Sequence, residues 1–583
     1  MRLRSRMVPV IFLLAGWAVA ALLLPIGPAQ AHTELVHWEF VKSAASSPMT
    51  ILLRFSEPID AHFLTVGVVD PQGERIPVGA VRIDEQLKTD GYVDLPSLPT
   101  GTYSVAWWTR ALDGDTSTGS FLIGIGTSVE PLALLPPVGA RDPATQPATL
   151  LSGTVWNTIF HWFMYLSAAL LVGTSSFVLI TLGPRRKGSD ALLFRKYSAL
   201  AVTGAGIFLF TGLLMLVMQA GLVRYSLLQP VTSAAPTPLE PSSLSHAPPY
   251  QALVEILRGY NGRVWLARML LGATALVFSL RLSPSARRPA LRWAATLAVS
   301  LAALFTVSLT AHAAVVPQAA WTIPFDWSHM AVMSLWIGGM LPLVLAIRTI
   351  TLPDIPVIVR RFSTQALAAV GFLAVTGLLA AFVHVRHPGL LLPTTYGRVL
   401  VVKLTLFAVL VGFGALHRRV FIPRLPTEVG VGRTALERAL PWELGVGCTL
   451  LLAVSLMASL GTSAAVWPAH QALGVAETTS AGGVRAVLRA VPGRTGENAV
   501  ALDITDRRGG PPTVPLRVTL SLNGVMVELT PVGSPIAGTT QRFVASSLVQ
   551  LPASPVVAVF QIVRPAYQDL AGATRVNPRP ALP

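Results

Sequence analysis

The sequence predicts a multi-domain membrane protein, an eight-helix all-α transmembrane bundle flanked by two extracytoplasmic all-β sandwich domains. Three observations predict it. Of the 583 residues, 52% are hydrophobic and only 12% charged, where a soluble domain carries about 25% charged residues. Eight apolar runs are each close to the length that crosses a bilayer. On either side of them, stretches of soluble composition read as short alternating strands broken by Pro, Gly and Asp turns.

The elements follow in order. Arg2, Arg4 and Arg6 precede an apolar run from Val8 to Leu24, and Ala29-Gln30-Ala31 is a small-x-small cleavage signal. Residues 1–31 are therefore expected to be a signal peptide, with His32 as the mature N-terminus. Residues 32–127 contain strand-like runs such as Ile51-Leu52-Leu53-Arg54-Phe55 and Thr102–Trp107, as expected of a small β-sandwich. Residues 128–150 form a Pro-rich linker.

Residues 151–468 hold the apolar runs, at about 155–182, 197–222, 264–281, 292–313, 327–347, 364–385, 399–417 and 443–467. Basic residues concentrate in alternate loops: Arg185, Arg186 and Lys187; Arg287 and Arg288; Arg360 and Arg361; Arg418 and Arg419. Positive loops stay in the cytoplasm, so both soluble domains are expected outside, as the signal also requires. Residues 469–583 return to soluble composition, with strands expected near 499–504, 516–520 and 556–560.

The net charge of +16 could serve nucleic acid, but the basic residues sit in short loops between apolar runs. This is the pattern of membrane topology, and no nucleic-acid partner is expected; the membrane lipid is. The single cysteine, Cys448, excludes an intramolecular disulfide or a thiolate cluster. No Walker A motif occurs, and the chain is not expected to be an enzyme.

Ionisable residues inside a bilayer are costly and default to functional candidates. His161, His312, His329, His384 and His387 all fall at the outer ends of their spans, whereas His417 falls at the inner end. Interfacial anchoring would explain such placement, and so would a ligand cluster. Methionines favour the second: Met164 follows His161 by three residues and Met333 follows His329 by four, spacings that share a helical face. Imidazole with thioether suits Cu(I). Asp326, His329, Met333, Trp336 and Met340 form one stripe, and Gly338-Gly339 would allow a close helix approach. Asp326 is placed to orient His329. At the mature N-terminus, the α-amine and the His32 imidazole could chelate Cu(II). Lys403 is expected to snorkel outward, and Glu443 to open the eighth span and pair near Arg418 and Arg419.

Leu53-Arg54-Phe55-Ser56-Glu57-Pro58, the Ala31-His32 junction, Leu98–Trp107 and Gly119-Ser120-Phe121 resemble the CopC copper-resistance domain. Asp326-x-x-His329, Trp336-Ile337-Gly338-Gly339-Met340, Arg361-Phe362-Ser363 and Tyr396-Gly397 leading to Lys403-Leu404 resemble CopD, its membrane partner. The tail, with Pro492, Gly496-Glu497-Asn498 and Asp503, loosely resembles YtkA-like β-sandwiches.

The resemblance implies copper, as Cu(I) or Cu(II), bound in the envelope and moved across the bacterial inner membrane. Envelope copper chaperones or cuproenzymes would be its partners. It also implies a Cu(II) site of the N-terminal His plus an Asp and a His from an Asp-Gly-His motif. His32, Asp113 and Gly114 are present here, but Asp115 stands where the family has His. The expected metal residues are His32, Asp113, His161, His312, His329, Met333 and His384. Two alternatives stand beside copper: a b-type haem membrane protein with axial histidines from two helices, and a non-metal scaffold binding protein partners.

Overall fold

In the computed structural model the described residues are 35–41, 49–60, 63–70, 75–84, 88–112, 116–125, 153–183, 191–228, 249–282, 288–314, 316, 319–349, 354–425, 429–463, 474–481, 484–506, 517–532, 541–563 and 570–578. The signal peptide, the linker, His32 and Asp113 lie outside them.

The N-terminal β domain has two four-stranded antiparallel sheets. One contains β1 (Leu35–Val41), β2 (Met49–Phe55), β6 (Asp90–Leu95) and β5 (Val81–Ile83), in that order. The other runs β4 (Arg75–Ile76), β3 (Thr65–Val69), β7 (Gly101–Arg110), β8 (Thr116–Ile125). Ile51, Leu53 and Phe55 alternate along β2 and meet Val105, Trp107, Phe121 and Ile123 of the other sheet in the core. Residues two apart on a strand share a face, as a sandwich core requires; Thr50 and Leu52, at the alternate positions, are buried as well.

Arg54, between two core residues of β2, lies opposite Asp90 of β6. Its Nε donates to Oδ1 at 3.0 Å and its Nη2 to Oδ2 at 2.8 Å. The hydrogen bonds from Arg54 hold the buried Asp90 carboxyl below the usual carboxylate range, against the effect of burial.

The C-terminal β domain pairs a sheet ordered β14 (Leu529–Val532), β15 (Gln541–Ala545), β11 (Gly496–Asp506), β10 (Val484–Val491), β9 (Val475–Ala481) with a second ordered β13 (Val525–Val527), β12 (Arg517–Leu522), β17 (Val556–Val563), β18 (Leu570–Val576). β16 (Val549–Leu551) pairs with the start of β11. Val556, Ala558, Phe560 and Ile562 of β17 point inward onto Leu488, Leu502, Ile504 and Phe543. At the middle of the first sheet, Asp503 is buried between two arginines. Arg542 donates from Nε to Oδ1 at 2.6 Å and from Nη2 to Oδ2 at 2.8 Å, and Arg489 donates from Nε to Oδ2 at 3.1 Å.

The helical block has, among the described residues, eight helices long and apolar enough to cross a membrane. They are α1 (Gly153–Ser176), α2 (Ala191–Leu228), α3 (Tyr260–Leu280), α4 (Pro289–Ser308), α5 (Ala319–Thr349), α6 (Ile355–Val385), α7 (Thr395–Leu416) and α8 (Val429–Ala458). A short helix, Pro249–Arg258, precedes α3. Two helices change winding at their ends: α1 runs into a π segment, Phe177–Leu182, and α7 into another, His417–Phe421.

The centre of the block is the crossing of α1 and α5. A Cβ on Gly338 would overlap the carbonyl of Ala169, and one on Gly173 would overlap the backbone of Gly338. The glycines let two backbones touch with no side chain between them, the close approach expected from Gly338-Gly339. On the far side, Gly339 faces the Phe362 ring of α6, where a Cβ would sit 2.8 Å from Cε2. Indole N–H groups join further helices by donating to backbone carbonyls, since no water is present in a bilayer core to accept from them. Trp162 of α1 donates to Cys448 O of α8 at 2.9 Å, Trp327 of α5 to Leu301 O of α4 at 2.9 Å, and Trp265 of α3 to Gly212 O of α2 at 2.9 Å.

The eighth span differs from its expected bounds. α8 begins at Val429, so Glu443 lies well inside it rather than at its start. Arg433, Glu437 and Arg438 are carried on the added turns, where the Arg433 Nε to Glu437 Oε1 bond of 2.8 Å spans one turn.

Candidate metal centre

α1, α5 and α7 begin, and α4 and α6 finish, at the same end of the helical block, and this gathers the candidate residues. His161 lies on the third turn of α1. His312 sits in the 3-10 turn His312–Ala314 between α4 and α5. His329 and Met333 are on α5, His384 is on the last turn of α6, and Tyr396 and Lys403 are near the start of α7.

His161 has its Nδ1 2.8 Å from the Asn157 carbonyl oxygen, one turn back on its own helix. A carbonyl only accepts, so Nδ1 carries the proton and the lone pair is left on Nε2. His329 reaches the same state through another helix. Its Nδ1 lies 2.7 Å from Thr376 Oγ1 of α6. That hydroxyl also lies 2.8 Å from the Phe372 carbonyl oxygen, one turn back on α6, an acceptor that helical threonines use. With its proton there, the oxygen accepts from His329, and Nδ1–H leaves the lone pair on Nε2. A metal-ligating histidine characteristically donates its other ring nitrogen in this way, which fixes tautomer and orientation.

Asp326 does not orient His329. Positions three apart on α5 diverge enough that His329 turns to α6, while the Asp326 carboxylate lies beside the Ser308 hydroxyl of α4, outside strict hydrogen-bond geometry. Lys403 and His312 lie within Coulombic range of Asp326, and so do the Tyr165 and Tyr396 rings. Lys403 is also within range of His329 and His384.

His384 packs edge-on against Tyr396, with centroids 6.5 Å apart. His161 lies within range of His312 and Arg268. Arg268 is buried on α3, where its Nε donates to Thr306 Oγ1 at 3.1 Å and its Nη2 to Thr306 O and Thr310 Oγ1, each at 2.7 Å.

Among the described residues no three His, Cys, Asp or Glu side chains converge closely enough to hold one metal ion. Among the described residues, these four residue types thus assemble no closed cage. It provides separate imidazoles with free Nε2 atoms, each with a buried methionine one turn along: Met164 after His161 and Met333 after His329. Such sites suit a soft ion with few ligands rather than a hard ion needing an oxygen shell.

Sequence reasoning missed Arg268 and Thr376. The first left a signal, a lone charge in an apolar run. The second left none, since threonine is ordinary in membrane helices. His32 and Asp113 lie outside the described residues.

Residues 356–457 match the family described as CopD, Copper resistance protein D, and residues 41–126 match the CopC domain. The chain is 26% identical over 522 residues to the Copper transport protein CutJ of Bacillus subtilis (strain 168), covering 87% of this chain and 88% of that protein. It is 30% identical over 98 residues to Protein YobA of Escherichia coli (strain K12), covering 16% of this chain and 79% of that protein, and the same figures hold for Protein YobA of Shigella flexneri. No solved structure matches.

Proposed function

Because the chain belongs to the CopC/CopD copper-resistance family, we propose that it carries copper across a bacterial inner membrane. In this reading both β domains lie outside, the outer end of the helical block takes the ion, and His161 and His329 are its first membrane ligands. The observation that carries the reading is the tautomer lock. Thr376 and the Asn157 carbonyl each hold a histidine Nδ1–H, so that an unprotonated Nε2 is ready for a soft cation. Met164 and Met333 supply thioether sulfur on the same helices. Cleavage after Ala31 and division of the chain near residues 127, 150 and 468 belong to the same reading. So does Cu(II) capture at His32 and Asp113, with envelope chaperones or cuproenzymes as partners.

The test is metal analysis and Cu(I) titration of the purified full-length protein, together with the copper content of a deletion strain. Bound copper and an altered cellular copper level are expected. A Soret band in the purified protein would replace copper with haem, and a protein free of any metal with unchanged cell copper would leave the scaffold reading.

Two substitutions sharpen the test. His329→Gln should lose copper binding at normal expression, because an amide is a poor ligand for Cu(I). Thr376→Val removes only the hydroxyl that orients His329, and should weaken Cu(I) binding about 10–100-fold, the usual cost of losing such a partner. Thr376→Ser should restore it. Wild-type affinity in Thr376→Val would show that the hydrogen bond does not prepare a ligand.

A further inference from the structure

His417 and Glu443 form a second ionisable pair, at the other end of the block. His417 follows Lys403 by 14 residues on α7, a rise of about 21 Å at 1.5 Å per residue, so the pair is well removed from the histidines above. His417 opens the π segment that ends α7, and its ring is flanked by Phe413 and Phe421, with centroids 6.5 and 5.4 Å away. Its Nδ1 lies 3.2 Å from Glu443 Oε2, with side chains only 10% and 6% exposed. The sequence suggested Arg418 and Arg419 as partners for Glu443; both are exposed, and the imidazole has taken that place.

The pair is close but incompletely satisfied. The approach angle leaves Glu443 Oε2 without a formal hydrogen bond, and His417 Nε2 is buried with none. An ion pair in an apolar interior that is not fully hydrogen-bonded is weak support for stability, and apolar residues would serve the fold as well. An intramembrane carboxylate and imidazole in contact are better explained by what they can bind.

The surroundings narrow the ligand. Arg433 is engaged by Glu437 on α8, Arg438 and the Arg348 of α5 are exposed, and Arg424 on the following turn is half-buried. With only two donors and no third ligand among the described residues, a metal ion is poorly held. A proton needs no third ligand.

We propose that His417 and Glu443 form a proton-binding site that takes up and releases one proton as copper passes. With one proton between the imidazole and the carboxyl, the pair has net charge zero. A second proton, drawn from the adjacent aqueous phase, gives an imidazolium beside a neutral carboxylic acid, of net charge plus one. Its loss reverses the step. A site that changes charge by one gives an ATP-independent carrier a counter-ion for its cargo. The coupling to copper rests on the reading above, whereas the proton site does not.

Infrared difference spectra of the full-length protein in lipid nanodiscs, recorded from mildly acid to mildly alkaline pH, test the site directly. A protonated-carboxyl band that titrates, disappears in Glu443→Gln and shifts in both Glu443→Asp and His417→Gln is expected. A wild-type spectrum without a titrating carboxyl band, or a band unchanged in Glu443→Gln, overturns the site. Proteoliposomes holding a pH dye, given external Cu(I), test the coupling. Copper entry with opposite proton movement in wild type, and loss of the proton signal in Glu443→Gln, supports it. Copper entry with no proton movement in wild type overturns it and leaves the copper reading standing. A titrating Glu443 band in protein that never moves copper supports the proton site and refutes the copper reading alone.

Discussion

Gly338→Ala should prevent the helical block from folding. The added methyl would have to occupy the position of the Ala169 carbonyl on α1. No rotamer relieves a collision between a Cβ and a backbone, so α1 and α5 must separate. The cost should exceed the roughly 1–3 kcal/mol of ordinary overpacking, where side chains can shift. Gly371→Ala on α6 is the control, because nothing lies within 4 Å of the Cβ it would add. Yield and thermal unfolding of the detergent-purified protein should show no stable Gly338→Ala product and a Gly371→Ala product like wild type. A well-folded Gly338→Ala would mean the two helices do not cross at these residues.

Asp503→Ala should destabilise the C-terminal β domain by about 3–5 kcal/mol, the usual cost of removing one partner from a buried charged network. Arg542 and Arg489 would then be buried with no carboxylate to accept their hydrogen bonds. Burial alone would favour the neutral acid, but the Arg542 and Arg489 charges and hydrogen bonds outweigh it and hold the Asp503 carboxyl below the usual carboxylate range. The sign of the pH effect follows. A depressed folded-state pKa gives stability that is complete above the carboxylate's unfolded pKa and is lost as pH falls through the folded one. Protection factors for amide exchange across β10, β11 and β15 in the full-length protein, taken against the intrinsic rate at each pH, should therefore fall at acid pH in wild type. In Asp503→Ala they should already be low at neutral pH, with little further change on acidification. Wild-type protection in the variant would show that the two arginines find other acceptors.

Much of the architecture was legible because each part depends on a coarse property. Length and apolarity mark a span, alternation marks a sandwich strand such as β17, and adjacent small residues mark the α1–α5 crossing. The site was legible only as a set of residues at one end of the block. Which neighbour each would choose was not, because a three-residue spacing fixes a residue's angle about its own helix and says nothing about the packing of the others. Asp326 and His329 face different helices for this reason. Glu443 was misplaced because its helix continues through Pro441 to Val429, polar turns that hydropathy assigns to a loop. Arg268 stood in plain view as a charge in an apolar run, whereas Thr376 acquires its role only when α6 packs on α5.

The π segment after α7 has a consequence for insertions and deletions. A π turn holds one residue more than the α turn it replaces. Deleting one residue from Arg418–Phe421 would let the segment rewind as α-helix with the sequence on either side still in register. The same deletion inside the regular part of α7 would rotate everything beyond it by about 100° about the helix axis. The π segment should therefore tolerate the loss of one residue that the rest of α7 cannot.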